Sequence, residues 1–312
     1  MISVVIPVYR NAENIPSLLE ALQQLDQDLD GDLEVVFVVD GSPDDSALRL
    51  STELPTLGMR AQLLTLSRNF GSFEAIRAGL EAGRGDYFAV MAADLQEPPS
   101  LMASFHQRLR SGECDITIGQ RATRDDPALR RLMSTTFWGF YRRFVVPDVP
   151  PGGLDVFGCT RAVRDQILRL RERNSSLVGL LLWVGFRREY VRYERRAREI
   201  GESAWSLRKR LAYLMDSVFS FSALPIQILL RLGTLGLGVS AVFSLVVIAT
   251  KLFSEIPVPG YAATVLVVTF FGALNCFGLG VVGQYVWRTF ENTKARPSHI
   301  VASREEFEPN TN

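Results

Sequence analysis

Four short polar strings in the N-terminal part of the chain carry side chains that could bind a charged ligand or act in catalysis. Each follows an apolar run typical of a buried strand. The strings are Tyr9-Arg10-Asn11, Asp40-Gly41-Ser42-Pro43-Asp44-Asp45, Ser67-Arg68-Asn69-Phe70-Gly71 and Asp94-Leu95-Gln96-Glu97-Pro98-Pro99. Their carboxylate, guanidinium and amide groups can bind a polar, charged ligand through hydrogen bonds. Taken singly, each string could instead be a turn or a helix cap, and that interpretation is favoured for residues 42–45.

The elements that must position these strings are alternating strands and helices. Strands are predicted at Ser3–Tyr9, Leu33–Val39, Gln62–Leu66, Tyr87–Ala92 and Asp115–Gly119. Helices are predicted to begin near Asn14, Pro43, Ser72 and Pro98. This alternation, with nearly continuous apolar strands, predicts an α/β domain with a mostly parallel sheet and helices on both faces. Such sheets bind ligands at the carboxyl ends of their strands, which is where the polar strings lie.

Motifs and residue counts exclude several common kinds of site. No Gly-x-Gly-x-x-Gly follows the first strand and no Gly-Lys-Ser/Thr loop occurs, which argues against a dinucleotide or P-loop site. The three cysteines, at 114, 159 and 276, are scattered, and the two histidines, at 106 and 299, are far apart. Neither a disulfide framework nor a metal site built from cysteine or histidine is therefore expected.

The formal net charge of zero results from cancellation between segments of opposite charge. Residues 1–120 have a net charge of −10, residues 121–216 one of +9 and residues 217–312 one of +1. Of the 34 basic residues 31 are Arg, which suits phosphate contact better than simple solubility. No RNA- or DNA-binding signature accompanies the basic segment, so no nucleic-acid partner is predicted.

The last third contains two long apolar runs. Residues 232–250 and 256–287 are 19 and 32 uncharged residues, and a membrane-spanning helix needs roughly 20. Two transmembrane helices joined by a loop at 254–260 are therefore predicted. The alternative is a pair of buried core helices, which is disfavoured because neither run has the polar stripe of a soluble helix.

Basic residues flank the two runs on the sides away from their connecting loop. They are Arg208, Lys209, Arg210 and Arg231 before the first run and Arg288, Lys294 and Arg296 after the second. This distribution predicts a multi-pass protein of the inner (plasma) membrane, with both termini and the α/β domain in the cytoplasm. The glycines of the first run, Gly233, Gly236 and Gly238, permit close helix contacts, so a homo-oligomer is expected.

A basic, amphipathic segment precedes the first apolar run. Its apolar residues recur at helical spacing; they are Leu207, Leu211, Leu214, Val218 and Phe221. The pattern favours a helix that lies in the headgroup layer of the membrane. The alternative is a helix that packs on the soluble domain.

Seven motifs together resemble one known family, the family 2 glycosyltransferases. The motifs are Val5-Ile6-Pro7-Val8-Tyr9, Asp40-Gly41-Ser42, Leu66-Ser67-Arg68-Asn69-Phe70-Gly71, Ala93-Asp94-Leu95-Gln96-Glu97-Pro98-Pro99, Gly119-Gln120-Arg121, Gly152-Gly153-Leu154-Asp155 and Arg198-Glu199-Ile200-Gly201-Glu202-Ser203. Within that family the chain is similar to the polyisoprenyl-phosphate glycosyltransferases, of the dolichyl-phosphate mannose synthase and bactoprenol glucosyltransferase types. The resemblance runs from residue 2 to about residue 290.

The resemblance implies a GT-A type nucleotide-sugar-binding domain and inverting transfer of a sugar from a nucleotide sugar, with UDP-hexose favoured, to a polyprenyl phosphate. It places Asp94 and Gln96 as ligands of Mg²⁺ or Mn²⁺, which would offset the charge that builds on the leaving diphosphate. It assigns Asp94 a catalytic role as well. The residues it places at the nucleotide sugar are Pro7, Tyr9, Glu13, Asp40, Arg68 and Gly71.

The resemblance also assigns the acceptor side of the reaction. Asp155 is the candidate catalytic carboxylate, as a base or as a positioning group. A strong base is unnecessary, because a phosphate monoester with a second pKa of about 6 is largely ionised at neutral pH. The residues implied for the acceptor phosphate are Arg121, Arg131, Ser134 and Arg198. Arg195 and Arg196 are expected to face anionic headgroups instead.

Two residues depart from the family pattern. Ala92 stands where the family usually has the first Asp of Asp-x-Asp, and Val39 stands where it often has the first Asp of Asp-Asp-Gly-Ser. Either this subgroup manages with Asp94, Gln96 and the donor phosphates, which is favoured, or its activity is reduced. A non-catalytic nucleotide-sugar-binding scaffold is the corresponding alternative. A processive polysaccharide synthase is disfavoured, because the chain has no Gln-x-x-Arg-Trp motif.

The predicted organisation has four parts. Residues 1–202 form the cytoplasmic GT-A domain, and residues 203–223 form the interfacial amphipathic helix region. Residues 224–290 form the two-helix transmembrane anchor. Residues 291–312 form a cytoplasmic tail.

Overall fold

The computed structural model describes residues 1–121, 139, 141–143, 149, 154, 156–170, 172, 176–195, 207–253 and 260–309. In this part of the chain the strands are β1 (Ile2–Val8), β2 (Leu33–Val39), β3 (Ala61–Leu66), β4 (Tyr87–Val90), β5 (Ile116–Arg121), β6 (Phe157–Thr160), β7 (Arg188–Tyr193) and β8 (Val301–Phe307). The helices are α1 (Ile15–Asp28), α2 (Ser46–Leu57), α3 (Ser72–Ala82), α4 (Ser100–Ser111), α5 (Arg161–Arg169), α6 (Leu177–Trp183), α7 (Leu207–Phe221), α8 (Leu224–Phe253) and α9 (Tyr261–Thr293). A short 3-10 turn, Ala12–Asn14, precedes α1.

All eight of these strands belong to one sheet with the order β7-β5-β6-β4-β1-β2-β3-β8. The central strands β4, β1, β2 and β3 are parallel to their neighbours within that group. β6 lies antiparallel between β4 and β5, and β7 runs parallel to β5. The direction of strand addition reverses at β1, because β2 lies on one side of it and β4 on the other.

Both faces of the sheet are covered by helices because successive side chains of the central strands point to opposite faces and are apolar on each face. In β1, Val4 packs in the cluster with α1, α2 and α4, whereas Val5 packs in the cluster with α3, α5 and α6. In β2 the side chains of Phe37 and Val38 divide in the same way. The result is a three-layer α/β/α arrangement, as the near-continuous apolar strands predict.

The five predicted strands all form, with ends within two residues of the predicted ones. The helices begin at Ile15, Ser46, Ser72 and Ser100, close to their predicted starts. The sequence analysis did not predict β6, β7 or β8. These strands are short or lack a continuous apolar run, and their pairing depends on contacts between distant parts of the chain.

The C-terminal strand β8 extends the sheet of the N-terminal domain, although the sequence analysis predicted only a tail in this region. It pairs antiparallel with β3, with Leu63 opposite Glu305 and Gln62 opposite Glu306. Arg304 also donates to the side-chain oxygen of Gln62 at 2.8 Å. The chain therefore returns to the domain after α8 and α9.

The C-terminal half of α7 packs on the domain. Val218 is buried, and Leu214 and Phe221 pack against the same apolar cluster as α6. The Phe221 ring fills the space above Gly179, where an added Cβ would lie 2.4 Å from it. In this half of the helix the structure favours the alternative of packing on the domain. The lipid contact predicted for the whole segment 203–223 stays a prediction.

The two long helices α8 and α9 contact each other and expose apolar side chains. Gly236 of α8 faces Phe271 of α9, with 3.0 Å between an added Cβ and the ring. Gly233 and Gly238 have open space around them. Large apolar residues of both helices are exposed, among them Leu230, Leu235, Leu245, Phe270, Leu279 and Val286.

Length and composition identify one segment of the described chain, Phe270–Thr293, as able to cross a membrane. A second candidate arises if Leu214–Phe221 and Leu224–Gly236, which meet at an angle of 73°, are counted as one broken span.

Candidate active site

The candidate active site is the crevice at the carboxyl ends of the central strands. The direction of strand addition reverses between β1 and β4, and ligands of open α/β sheets bind outside the carboxyl ends at such a point. Because β1, β2, β3 and β4 are parallel, the loops after the first three strands and the turn at 94–97 after β4 all lie at this edge of the sheet. The polar strings of the sequence are therefore brought together by the topology of the sheet.

Asp44 ties the loop after β2 to the loop after β1. Its carboxylate accepts hydrogen bonds from the hydroxyl groups of Ser42 and Ser46 and from the backbone amide of Ala12, the last at 3.1 Å. Burial alone would raise the pKa of Asp44, but these hydrogen bonds outweigh it and hold the pKa below its ordinary value. The structure thus confirms the interpretation of residues 42–45 as a turn that precedes a helix.

Asp40 joins the end of β2 to the loop that precedes α3. Its two carboxylate oxygens accept the backbone amides of Phe70 and Gly71 at 2.7 and 2.8 Å. The Asn69 side chain donates to the Asp40 carbonyl oxygen at 3.1 Å, and Asp40 is only 3% exposed. The carboxylate that the resemblance places at the nucleotide therefore holds the loop before α3 against the end of β2 through backbone contacts. Direct nucleotide binding by Asp40 remains a prediction.

Gly41 is required where these two loops meet. Its φ of +57° lies in the left-handed region, and an added Cβ would lie 2.3 Å from the carbonyl carbon of Arg68. Because this carbon belongs to the backbone, it cannot rotate out of the way as the end of a side chain could. The Asp-Gly-Ser and Arg-Asn-Phe-Gly motifs therefore contact each other. The first motif supplies the glycine, and the second supplies the backbone that lies against it.

The other residues predicted at the nucleotide sugar lie at or near the carboxyl ends of β1 and β3. Pro7 is near the end of β1, half-buried, and Tyr9 is the first residue after that strand. Glu13 is exposed in the 3-10 turn. The guanidinium of Arg68 stacks over the Phe70 ring at 4.0 Å from its centre. Gly71 has a φ of +101° directly before α3.

The turn after β4 carries the predicted metal ligands in a strained backbone. Leu95 has a φ of +52°, a conformation that costs a bulky residue about 1–2 kcal/mol. The strain is accompanied by a hydrogen bond from the Gln96 amide to Asp94 Oδ1 at 3.3 Å. Strained turns of this kind cluster at functional sites, which supports a role for this turn in binding or catalysis.

Asp94 suits a divalent cation better than Gln96 does in this conformation. Mg²⁺ commonly uses one or two protein carboxylates together with substrate phosphates, and Asp94 provides one carboxylate. The side-chain oxygen of Gln96 already accepts a hydrogen bond from the Arg195 guanidinium. Within the described ranges no three His, Cys, Asp or Glu residues are grouped so that they could hold a metal by themselves. Asp94 therefore fits the predicted cation, and Gln96 would have to exchange its partner to bind it.

The acceptor side of the site is described only in part. Arg121 is the last residue of β5, half-buried, and is paired in register with Tyr193 of β7. Asp155, Arg131, Ser134 and Arg198 lie outside the described residues. The backbone carbonyl of Val156, next to Asp155 in the chain, accepts the Gly119 amide at 3.0 Å. Gly119, next to Gln120 and Arg121 in its motif, therefore bonds to the residue that follows Asp155 in the chain.

Arg195 is a candidate site residue whose position the sequence analysis did not predict. It follows β7, donates to the Gln96 side chain and lies with Nε 3.8 Å from Oε1 of the buried Glu97. It thus contacts the turn after β4. The sequence analysis had predicted that Arg195 faces anionic lipid headgroups instead. The alternation in β7, with Val191 and Tyr193 buried and Arg192 exposed, is the signal that could have identified this strand and its end.

Comparison with known proteins gives consistent matches over nearly the whole chain. Residues 3–170 match the model of glycosyl transferase family 2. A Bacillus subtilis (strain 168) protein named "Putative glycosyltransferase CsbB" is 33% identical over 301 residues, which cover 96% of this chain and 91% of that protein. The bactoprenol glucosyl transferase of Shigella phage SfX is 28% identical over 304 residues, 97% of this chain and 99% of that protein.

A solved structure of glucosyl-3-phosphoglycerate synthase from Mycobacterium tuberculosis, in complex with Mn²⁺, UDP and phosphoglyceric acid, is 17% identical with a TM-score of 0.49. The match covers 70% of this chain and 76% of that one. The family match extends over more than half of the chain and includes β1 to β6 and α1 to α5. The chain therefore belongs to glycosyl transferase family 2, and the protein is a glycosyltransferase with a GT-A-like α/β fold.

Proposed function

We propose that this glycosyltransferase transfers a hexose, with inversion, from a UDP-sugar to the phosphate of a membrane polyprenol on the cytoplasmic face of the inner membrane. The observation that carries the proposal is the direct attachment of the sugar-transferase domain to long helices with outward-facing apolar side chains. Arg288 of α9 donates to Asp216 of α7 at 2.7 Å, and α7 packs on the domain. An enzyme built in this way is suited to an acceptor that lies at a membrane surface.

The full-length match to a protein named bactoprenol glucosyl transferase supports a polyprenyl-phosphate acceptor. That match includes the segments of α8 and α9, so the likeness is not confined to the sugar-transferase domain. The pairing of β8 with β3 supports two crossings, because a chain that leaves the domain and returns to it must cross a membrane an even number of times. The same pairing supports an arrangement in which β3 and β8 lie on one side of the membrane.

The donor is proposed to bind in the crevice between β1 and β4, with its nucleotide along the loops that Asp40 and Asp44 hold. A divalent cation, Mg²⁺ or Mn²⁺, held by Asp94 would offset the negative charge on the diphosphate. Asp94 would orient that end of the donor, and the Arg68 guanidinium would bind an anionic or aromatic part of the nucleotide.

The acceptor phosphate is proposed to approach from the β5 side, where Arg121 ends its strand. Arg131, Ser134 and Arg198 would complete its binding, since guanidinium groups bind phosphate oxygens in pairs. Asp155 would orient the acceptor or remove a remaining proton. This carboxylate need not be a strong base, because the acceptor phosphate is already largely ionised at neutral pH.

The test uses the full-length protein in detergent with undecaprenyl phosphate, Mg²⁺ or Mn²⁺, and labelled nucleotide sugars offered one at a time. We expect label to pass into the lipid phase with one donor. Asp94→Asn and Arg131→Ala are expected to reduce the transfer rate by more than about 100-fold, the size of effect seen when a group that stabilises transition-state charge is removed. Asp45→Asn, at an exposed carboxylate near the same crevice, is the matched control and should transfer at the wild-type rate.

Absence of lipid product with every donor, under conditions in which a related enzyme is active, would overturn the proposed acceptor. Full activity in Asp94→Asn would overturn its role at the cation.

A further inference from the structure

Arg195 lies at the junction between the two halves of the candidate site. It follows β7 on the acceptor side, and its guanidinium donates a hydrogen bond to the side-chain oxygen of Gln96 on the donor side. Gln96 is two residues from Asp94, the carboxylate proposed for the cation. Arg195 is therefore a cation that contacts this turn directly.

The guanidinium is held in place by a buried carboxylate. Glu97 is 1% exposed, and its Oε1 lies 3.8 Å from Arg195 Nε. A carboxylate buried to this extent needs a nearby cation, because an uncompensated buried charge is strongly destabilising. The Arg195 side chain itself is 29% exposed, so one side of it faces Glu97 while the other can still reach a ligand. A guanidinium has five N–H donors, and the bond to Gln96 uses one of them.

We propose that Arg195 binds the diphosphate of the nucleotide-sugar donor and stabilises it as it leaves. In the transfer, an oxygen of the acceptor phosphate forms a bond to the anomeric carbon of the sugar. The bond from that carbon to the donor's β-phosphate oxygen breaks, and its electron pair stays on that oxygen. Arg195 would donate N–H hydrogen bonds to the diphosphate as this charge develops, with no proton transferred. The inference rests on the donor site proposed at Asp94.

Phosphate also occurs in the acceptor, and Arg195 is three residues from Arg198 in the chain. The contacts favour the donor, because the residues that Arg195 touches, Gln96 and Glu97, belong to the same turn as Asp94. An arginine that served the acceptor would change the KM for the lipid, whereas one that serves the donor changes nucleotide affinity without any lipid present.

The experiment measures nucleotide binding by calorimetry on the full-length protein in detergent with Mg²⁺. UDP and GDP are compared first, and the one that the wild type binds more tightly is used together with its monophosphate. Arg195→Gln is expected to weaken diphosphate binding by about 10- to 100-fold, the range for loss of a charge-assisted hydrogen bond to phosphate. Binding of the monophosphate should change by less than about threefold. Arg195→Lys, which keeps the charge and loses the planar fork, should fall between wild type and Arg195→Gln.

Two further variants separate ligand binding from folding. Arg192→Gln changes an exposed arginine of the preceding strand, β7, and should bind both nucleotides as the wild type does. If Arg195→Gln does not fold, the double variant Arg195→Gln with Glu97→Gln removes the buried charge together with its partner, and its thermal unfolding is measured beside its binding. Equal weakening of diphosphate and monophosphate binding, or unchanged nucleotide affinity with a raised KM for the lipid, would overturn the inference.

Hydrolysis of the donor in the absence of acceptor supplies a readout that is independent of the lipid. Its rate should fall in Arg195→Gln. If no polyprenyl phosphate is ever glycosylated but Arg195→Gln still loses diphosphate affinity, the proposed acceptor fails and the inference on Arg195 stands.

Discussion

Carboxylates beside the active-site crevice use much of their hydrogen-bonding capacity on backbone amides and serine hydroxyls. Asp40 and Asp44 each accept backbone amides from a loop that is distant in sequence. A motif residue at the end of a strand can therefore contribute to function by holding the loops that form a pocket, without touching the ligand. The sequence motif alone does not separate these two roles.

The lowered pKa of Asp44 predicts a pH-dependent contribution to stability. A carboxyl whose folded-state pKa is lowered stabilises the protein above its unfolded pKa, near 4, and that stabilisation is lost as the pH falls through the folded pKa. We expect Asp44→Asn to lower the free energy of unfolding at pH 7 by about 1 kcal/mol, the typical net value of such hydrogen bonds. The difference from wild type should shrink below about pH 4.

Thermal unfolding of both proteins between pH 3 and pH 7 checks this expectation. Asp45→Asn is the control, because Asp45 is exposed and its side chain does not cap α2. A difference between Asp44→Asn and wild type that is the same at every pH would contradict the assignment.

Gly41 and Gly31 allow backbone strain to be separated from steric overlap. Both have a positive φ, +57° and +75°, but an added Cβ meets the Arg68 backbone only at Gly41. Gly31→Ala should therefore cost about 1 kcal/mol, the penalty for a left-handed alanine. Gly41→Ala should cost more and should weaken nucleotide binding, because the two loops must separate. Thermal unfolding and calorimetry with UDP measure the two effects, and equal costs at the two positions would show that the close approach is unimportant.

Strand β8 is the element that attaches the end of the chain to the domain. Its Arg304 contacts Gln62, which in turn donates to the buried Glu34 at 2.7 Å, and Arg84 pairs with Glu306 and Glu308. Without β8, the strand β3 becomes an edge with unpaired backbone groups. The ion pairs of Arg84 are exposed and contribute little to the stability of the fold by themselves. We therefore expect the stabilising effect of β8 to come from its backbone hydrogen bonds to β3 and from the hydrogen bonds of Gln62.

Removal of residues 301–312 is expected to lower the free energy of unfolding by at least about 2 kcal/mol, because several backbone hydrogen bonds are lost together. Hydrogen exchange should show faster exchange in β3, with β1 less affected. Removal of residues 310–312 alone is the matched control and should leave both measurements unchanged. Unaltered exchange in β3 after the longer truncation would mean that β8 does not protect this edge in solution.

The arrangement of the whole molecule predicts on which side of a membrane each segment lies. In the proposed arrangement with two crossings, the pairing of β8 with β3 keeps the domain and the segment after α9 on the same side. A membrane-impermeant maleimide applied to intact cells should therefore label Gly260→Cys, and should label Arg296→Cys and Asp45→Cys only after lysis. Gly260, Arg296 and Asp45 are all exposed.

The background for this labelling carries Cys276→Ser, because Cys276 is exposed. Cys114 and Cys159 are buried, and burial raises the pKa of Cys159 to about 12, so its thiolate is scarce at neutral pH. Labelling of Gly260→Cys only after lysis would contradict the proposed pair of crossings.

Much of the candidate site could be predicted from the sequence because its parts are local. The apolar runs of β1 to β4 and the polar strings after them depend on neighbouring residues, so both the strands and their ends were predicted closely. The contact between Arg195 and Gln96 joins residues 99 positions apart. No local pattern specifies a contact of that kind.

The sequence by itself determined the α/β domain, the position of the polar strings at the strand ends, the separation of acidic and basic segments, and the two apolar runs. These features follow from side-chain periodicity, turn chemistry and charge, which act over a few residues. The tertiary structure alone decided the order of the strands, the antiparallel insertion of β6, the return of β8 to β3 and the contact of Arg195 with the turn after β4. These features depend on hydrogen-bonded pairing and packing between segments that are distant in the chain. The local preferences of the residues do not distinguish one possible strand partner from another.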